Sequence, residues 1–327
     1  MSTNFAYGLR SRGVPVETLG GIRYYGFWTG RPWFVDYDNG NDSNTGKQPD
    51  AAFKTLDAAI TACDAMDVIY IRPRDVSGTD PQGIVPVSTT VNWTVSHTKE
   101  GLSIIGAGPV IGSGIHYTYL KGAASGTTGP VLDIQAPAVT IENLAFHRGG
   151  VTSNGLLRLY GDGTATNNAH NSVINNCMFR WWNQATGTCG AVTIVDSWYT
   201  GIYNSTFYNC KDGIDIRGVQ STVKDVTIQS CKFLGLAADI SADIRLAGAA
   251  SDFFLIDSCL FMHMTPTGGT NKFISATAGH TSNGGMISNC YFDSDVTVGT
   301  EISTITNMKI VGCWDSGAAP GIICTGS

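Results

Sequence analysis

One short pattern recurs along the second half of the chain and limits what the chain can fold into. An isoleucine is followed three residues later by a cysteine and five residues later by a phenylalanine, as at Ile174, Cys177 and Phe179. The same triplet returns at Ile228, Cys231 and Phe233, at Ile256, Cys259 and Phe261, and at Ile287, Cys290 and Phe292. Further isoleucines at positions 141, 202 and 310 extend the series with intervals of 23 to 33 residues. A repeat of this length predicts a solenoid, in which each unit stacks on the next.

Each unit also carries a second short strand, bounded by glycine, ahead of its isoleucine, as in segments 155–161 and 190–196. Units built from strands alone form the coils of a parallel β-helix, with equivalent strands about 4.8 Å apart. We therefore predict an all-β, right-handed, single-stranded parallel β-helix, with the isoleucine, cysteine and phenylalanine series as an inward-facing core ladder. The asparagine or serine two residues after each isoleucine should lie at a bend, because these residues tolerate a left-handed backbone.

The pattern also suggests how the chain is divided. Residues 1–32 are rich in glycine and aromatic residues, and we expect an extended arm or anchor that packs on a partner through Tyr7, Tyr24, Tyr25, Phe27 and Trp28. Residues 33–327 should form the β-helix domain. Within it, apolar residues at helical spacing predict a short helix at about 53–65 that covers the N-terminal end of the stack. The C-terminal residues offer no obvious cap, so a partner chain or an irregular tail should cover that end.

Composition and charge limit the kinds of partner that we expect for this chain. The 327 residues carry a formal net charge of −6, which argues against nucleic acid as a partner. No apolar run is long enough to cross a membrane, and the first residues lack the apolar core of a signal peptide. Nine cysteines without an export signal indicate folding in a cytoplasm with reduced, buried thiols.

The carboxylates offer one candidate for chemistry. Asp215–Arg217 and Asp243–Arg245 each have their isoleucine twelve residues before a motif isoleucine, so we expect Asp215 to stack on Asp243 on the outer face. Two acids one coil apart would suit a retaining glycosidase. The alternative is a surface ladder of ion pairs, in which arginines neutralise both acids and depress their pKa. We favour the ladder and expect no catalytic residue.

The other sequence patterns do not indicate a metal-binding or catalytic site. No Cys-x-x-Cys pair occurs, and the loop 38–46 departs from the calcium-binding EF-hand pattern, so we expect neither metal nor cofactor. Aromatic residues cluster at Trp181, Trp182, Trp198 and Tyr199. Such a patch either stacks on sugars or forms a protein interface, and we favour the interface.

The stretch FVDYDNGNDSNTGKQPDAAFKTLDAAI, residues 34–60, resembles the opening segment of right-handed parallel β-helix proteins of the pectate-lyase-like superfamily. The arm FAYGLRSRGVPV, residues 5–16, followed by this segment and by ACDAMDVIYIRP, residues 62–73, is similar to a group of bacteriophage-encoded β-helix proteins that are virion components. The resemblance implies a virion location and a structural, non-enzymatic role as a capsid decoration or head-fibre protein. A homotrimer attached through the arm to the major capsid protein, or to another virion protein, would follow. One alternative is a tailspike-type receptor-binding protein with glycosidase or lyase activity on a host surface glycan, and another is a receptor-binding spike without catalysis.

Overall fold

A computed structural model describes most of the region after residue 30 and two short pieces before it. The described residues are 10–11, 14–15, 30–73, 84–86, 93–106, 118–122, 129–147, 155–164, 167–180, 190–235, 242–248, 250–263, 272–276, 281–282, 284–293, 307–315 and 321–325. Long ladders of parallel strands dominate this part of the chain. They form a right-handed parallel β-helix, and the predicted fold class is confirmed.

The first wall of the helix, here called the isoleucine face, contains the motif isoleucines. Ile141 pairs with Ile174, Ile174 with Ile202, and Ile202 with Ile228, each in parallel register. These four isoleucines are fully buried, because alternate residues of a strand point to the same side. The strands of this face are Pro32–Val35, Val68–Ile71, Ser103–Ile105, Thr140–Glu142, Val173–Asn175, Gly201–Tyr203, Thr227–Gln229, Phe254–Asp257, Gly285–Ser288 and the first part of Met308–Asp315.

The second wall, the phenylalanine face, follows after a two-residue corner. Its buried phenylalanines stack ring on ring from coil to coil, with Phe207, Phe233 and Phe261 separated by centroid distances of 4.8 Å. The spacing equals the distance between neighbouring strands, so each ring rests on the one in the preceding coil. The strands are Ile84–Pro86, Thr118–Lys121, Leu144–His147, Met178–Arg180, Thr206–Tyr208, Lys232–Gly235, Leu260–His263, Tyr291–Asp293 and the end of Met308–Asp315.

A third face closes the coil, and a short fourth ladder leads back to the isoleucine face. The third face contains Trp93–Val95, Leu132–Ile134, Leu157–Tyr160, Val192–Val195, Asp212–Gly218, Ala242–Gly248 and Lys272–Ala276, all parallel. The fourth ladder contains Val223–Lys224, Ala250–Asp252 and Thr281–Ser282. One continuous apolar core runs through the middle of these faces.

The corner between the first two faces explains the cysteine in the motif. The residue before each cysteine has positive φ, at 50° for Asn176 and 55° for Ser230, as predicted for this bend. The cysteine then turns inward, and the Sγ of Cys231 lies 3.5 Å from the carbonyl oxygen of Ile202 in the preceding coil. A thiol therefore fills a small apolar space and also donates weakly to the main chain. Every cysteine that the structure describes with its side chain is buried and free of disulfides.

The two ends of the stack are covered differently. Leu56–Ala62 forms the α-helix, begun by Thr55 as N-cap, and it packs on the first strands of the coils through Leu56, Ala59 and Ile60. At the other end Gly321–Thr325 pairs antiparallel with Met308–Asp315, so the described part of the tail is a regular strand. Two 3-10 turns, Pro49–Ala51 and His97–Lys99, and a short antiparallel pair, Arg10–Ser11 with Val14–Pro15, complete the elements of the described ranges. Across the described ranges, no helix is long and apolar enough to span a membrane.

Candidate functional site

A column of charged residues runs along the outer side of the third face. The register places Asp133 beside Arg158, then Thr193, then Asp215 and then Arg245, one residue per coil. Acids and bases are therefore neighbours on successive strands, where opposite charges stabilise a parallel ladder. This column contains one of the two acids that the sequence singled out.

Arginines hold both acids of this column. Arg158 binds Asp133 with two parallel hydrogen bonds, Nε to Oδ1 at 2.8 Å and Nη2 to Oδ2 at 2.7 Å. Asp215 accepts from Arg245 Nε at 3.1 Å on Oδ1 and from Arg217 on Oδ2. Each oxygen of Asp215 thus already has a cationic donor, which is the geometry of a structural ion pair.

Burial governs the proton affinity of Asp215. The side chain is fully buried, although the arginines beside it reach solvent in part. Burial is the largest influence and raises the pKa of Asp215, while the charges and hydrogen bonds of Arg245 and Arg217 oppose the rise. The expectation of a depressed pKa on an exposed surface is therefore wrong, because loss of water outweighs the paired charges.

The predicted stacking of Asp215 on Asp243 is also wrong. Ile214, not Ile216, lies beside Ile244, and Asp215 consequently lies beside Arg245. The error comes from counting back a fixed number of residues. Gly218 pairs with Gly248, and the next paired residues are Val223 and Ser251. The connection from Gly218 to Val223 in the earlier coil is two residues longer than the connection from Gly248 to Ser251 in the later coil.

The longer connection, between Gly218 and Val223, is an ordered loop. The carboxylate of Asp196 accepts from the backbone N–H groups of Val219, Gln220 and Ser221 at 2.7, 2.8 and 3.0 Å. Asp196 itself is almost fully buried. A buried carboxylate that binds three N–H groups anchors the loop and shifts the register that follows it.

Asp243 lies inside the β-helix instead. Its Oδ2 is 2.8 Å from Nε2 of His263, and both side chains are buried. The His263 ring packs against Phe273 with centroids 4.6 Å apart, and Phe273 in turn contacts Phe261 of the core ladder. Burial raises the pKa of Asp243, while the charge and hydrogen bond of His263 lower it.

The two candidate acids therefore belong to different environments. Asp215 lies on the outer side of the third face among arginines, whereas Asp243 lies on the inner side beside aromatic rings. A glycosidase needs two carboxyl groups that flank one bond of the substrate. With the sheet between their side chains, Asp215 and Asp243 do not form such a pair.

No protein-family model matches this chain, and no curated protein matches it. Among solved structures, a rhamnogalacturonan lyase is similar with a TM-score of 0.49 and 14% identity, over 90% of this chain and 89% of that one. Pectate lyase Pel9A gives 0.42 and 16% over 90% and 82%. ORF18 of Geobacillus virus E2 gives 0.36 and 14% over 78% of this chain and 55% of that one. At such low identity and TM-score, the activity of this chain has to be argued from its own residues.

A second candidate site, here called the aromatic edge, consists of Trp198, Tyr199 and Phe253 and lies where the fourth ladder turns into the isoleucine face. Trp198 stacks on His170 with centroids 4.7 Å apart, and the ammonium of Lys224 lies 5.3 Å from the centre of the indole ring. The indole N–H donates to the carbonyl of Thr222 at 2.8 Å. Burial lowers the pKa of His170, whose Nδ1 accepts from the backbone N–H of Trp198 at 2.9 Å. Trp198 is thus held in the wall.

The two exposed rings of the aromatic edge belong to residues with an unusual backbone conformation. Tyr199 and Phe253 have φ of 55° and 49°, and their side chains are 56% and 61% exposed. The left-handed conformation costs about 1–2 kcal/mol for a residue with a side chain, and bulky residues are rare there. A strained backbone persists where the surrounding structure imposes it, and strained residues are frequent at functional sites.

Phe253 was missed by the sequence analysis, although a signal existed. The residue three positions before each motif isoleucine has positive φ in the described coils, and most members of this column are small or polar: Ala138, Asn171, Asp225, Gly284 and Asn307. Tyr199 and Phe253 are the two exceptions, and aligning this second column would have identified both.

The other predicted residues divide into those that the structure describes and those that it does not. All twelve residues of the core ladder are buried in the structure. Tyr7, Tyr24, Tyr25, Phe27, Trp28, Trp181 and Trp182 lie outside the described residues.

The loop 38–46 uses its acids within the protein. Asp36, just before it, accepts from the N–H groups of Asp38 and Asn39 at 3.1 and 3.0 Å. Asp42 accepts from the N–H groups of Lys54 and Thr55 at 2.9 and 2.8 Å. Within the described ranges, no group of three or more acidic, histidine or cysteine side chains is arranged to hold a metal ion.

Proposed function

We propose that the chain is a non-enzymatic structural protein of a bacteriophage particle, namely a capsid-associated decoration or head-fibre protein. The arm and the opening segment support the phage origin, because residues 5–16, 34–60 and 62–73 resemble those of phage-encoded β-helix proteins. The arm binds the major capsid protein or another virion protein, and the β-helix projects from the particle.

The observation that carries the non-enzymatic part is the state of the two acids. Asp215 is saturated by Arg217 and Arg245, and Asp243 is bound by His263 on the other side of the sheet. Opening either site to a substrate would break a buried ion pair or hydrogen bond, which costs several kcal/mol. Both acids thus support the β-helix rather than a reaction.

The aromatic edge supports assembly into a homotrimer. The exposed rings of Tyr199 and Phe253 lie two coils apart, roughly 10 Å along the axis of the β-helix. Three copies that stand side by side around a threefold axis present the same edge to one another, which suits a closed cyclic assembly. Aromatic anchors are the side chains that contribute most to such contacts.

Two measurements test the proposal. Electron microscopy of particles with and without the gene should show density for a trimer on the capsid surface that is lost in the deletion. Purified protein should release no reducing ends from host capsule or lipopolysaccharide. Depolymerisation by the wild type that is abolished in Asp215→Asn or Asp243→Asn would overturn the proposal and establish a tailspike-type enzyme.

A further inference from the structure

Four buried cysteines stand in a row at the C-terminal end of the β-helix. This thiol column consists of Cys231, Cys259, Cys290 and Cys313, which hold the same corner position in four successive coils. Their side chains are buried, with no more than 2% exposed. Ser205 holds this position one coil earlier and ends the column on that side. Each thiol of the column therefore has another thiol as its neighbour along the axis.

The thiols of the column repeat one orientation. The Sγ atoms of Cys231 and Cys259 lie 3.4 and 3.3 Å from the carbonyl oxygen two residues before them. Those of Cys290 and Cys313 lie 3.2 and 3.7 Å from the equivalent oxygen. Every Sγ also lies 3.5 to 3.8 Å from the carbonyl oxygen of the motif isoleucine in the preceding coil. Because these surroundings repeat, neighbouring sulfur atoms are one strand spacing apart, about 4.8 Å.

This spacing matches a metal bridge better than a disulfide. A disulfide bond is about 2.0 Å long, so its formation would require two neighbouring sulfur atoms to approach by roughly 2.8 Å. A metal–thiolate bond is about 2.3 Å long, and an ion on the line between two sulfur atoms therefore spans about 4.6 Å. The thiol column consequently offers pairs of ligands for an ion that binds two thiolates on a line.

Burial and ligand type select the ion. Thiolates are soft ligands and favour soft metal ions. An uncompensated charge is costly in an apolar core, so two thiolates call for a divalent ion that leaves the complex neutral. Zinc takes four ligands in a tetrahedron, and the described ranges contain no group of three or more side chains that could hold a metal ion. Mercuric ion is soft and divalent, and it binds two thiolates in a linear arrangement.

We propose that the thiol column binds mercuric ions, each held in line between the thiolates of two successive coils. On binding, two S–H bonds break, two metal–sulfur bonds form and two protons pass to solvent, with no transfer of electrons. The four thiols take two ions, one between Cys231 and Cys259 and the other between Cys290 and Cys313. Because the thiols are buried in the folded protein, the ions enter while the chain folds. Each bound ion then links two coils covalently.

This site goes beyond the proposed virion role and does not rest on it. It depends on the register of the coils alone, and it involves neither the arm nor the aromatic edge. A failure to bind mercury therefore leaves the virion proposal standing, and a failure to find the protein on particles leaves the metal site standing. Sequence spacing does not reveal the site, because the cysteines that pair are one whole repeat apart.

The test counts the mercury that the full-length chain retains. All samples carry Cys189→Ser and Cys324→Ser, so that every remaining cysteine is one whose side chain the structure describes. The protein is unfolded in urea, refolded with mercuric acetate and passed through a gel-filtration column in excess glutathione. Glutathione removes ions held by one thiol, whereas two thiols on one frame keep their ion through a high effective concentration. We expect two ions per chain by mass spectrometry of the metal, with the mercury NMR shift of two-coordinate sulfur.

Three variants locate the ions. Cys259→Ser leaves the pair of Cys290 and Cys313 and should lower the retained mercury from two ions to one. Ser205→Cys joins Cys177 to the column, which then has six thiols, and should raise the count to three. Cys177→Ser is the matched control, because the next residue of its column towards the thiol column is Ser205, and it should leave the count at two.

Three results would overturn the proposal. One is a refolded parent protein that retains no mercury in glutathione. Another is a Cys259→Ser variant that retains as much mercury as the parent. The third is a folded Ser205→Cys variant that gains none. Circular dichroism establishes which variants fold, and Cys290→Ser, which leaves the pair of Cys231 and Cys259, replaces any variant that does not and should also retain one ion.

Discussion

Asp215 lies directly beside Arg245 of the next coil, and Oδ1 of the acid accepts from Nε of the base at 3.1 Å. Arg245 also reaches Asp212 of the earlier strand at 3.6 Å. One guanidinium therefore bridges two acids of the third face. This relationship turns a possible catalytic acid into part of the framework, and it can be tested through stability.

Replacing the bridging arginine should destabilise the protein. Arg245→Met leaves the buried Asp215 with Arg217 alone and should lower the free energy of unfolding by ~3 kcal/mol, since breaking a buried pair leaves a buried charge less compensated. Urea titration followed by circular dichroism measures the change. Lys309→Met, which removes an exposed charge, serves as the control and should change stability by less than about 0.5 kcal/mol. An Arg245→Met variant as stable as this control would contradict the structural role.

The internal pair of Asp243 and His263 should make stability depend on pH. Because burial raises the pKa of Asp243 above its ordinary 3.8, the folded state keeps this proton longer than the unfolded state. Its contribution is fully present below pH 3.8 and is lost as the pH rises through the raised value. The unfolding free energy of wild type minus that of Asp243→Asn should therefore fall as the pH increases from about 4. A difference that is flat or rises over that range would show the assignment to be wrong.

Asp257 should behave in the opposite sense. Hydrogen bonds from Ser288, Asn289, Gln229 and Ser258 lower its pKa to about 2, with the Ser288 hydroxyl at 2.7 Å as the strongest influence. Its contribution to stability is present above pH 3.8 and is lost as the pH falls through about 2. Carbon NMR of the carboxyl groups should show this low midpoint.

The Asp257 titration has a direct control. Ser288→Ala removes the hydroxyl donor and should move the midpoint of Asp257 upward, toward 3.8. If the midpoint stays at about 2 in this variant, the depression comes from another source than the hydrogen bond.

Relieving the strained backbone of the aromatic edge should stabilise one chain and weaken its assembly. Phe253→Asn and Tyr199→Asn place a residue that tolerates positive φ at each position, and each should raise the unfolding free energy by ~1 kcal/mol. Both should also shift the trimer toward monomer in sedimentation equilibrium. Val219→Asn removes an exposed apolar side chain that lacks positive φ and should give no stability gain. If the variants are more stable but still form trimers, the strained residues are not required for assembly.

The core cysteines should be chemically silent in the folded protein. Burial is the largest influence that raises the pKa of Cys177, to about 12, so little thiolate forms at pH 8. Iodoacetamide followed by peptide mass spectrometry should label Cys177, Cys231 and Cys259 in urea but not in buffer. Fast labelling of any of them in buffer would show that the corner opens. Cys231→Ala should cost ~1 kcal/mol and leave any activity unchanged.

Much of this architecture could be predicted from residue types alone. The isoleucine and phenylalanine series must point inward because nothing else would bury them, and Asn176 or Ser230 marks the bend because few other residues adopt positive φ readily. The candidate site was harder to predict. Asp215 and Asp243 look alike in sequence, each followed by isoleucine and arginine, yet they point to opposite sides of the sheet.

The sequence by itself determined the repeat, the β-helix and the composition of its core, because a fixed spacing of large apolar residues has one efficient way to be buried. Only the tertiary structure decided which charged residues meet. The ordered loop after Gly218 shifts the third face by two residues, which places Asp215 beside Arg245. His263 reaches Asp243 from another face of the β-helix. Side-chain pairing across coils follows the hydrogen-bond register, and connection lengths alter that register without changing the repeat.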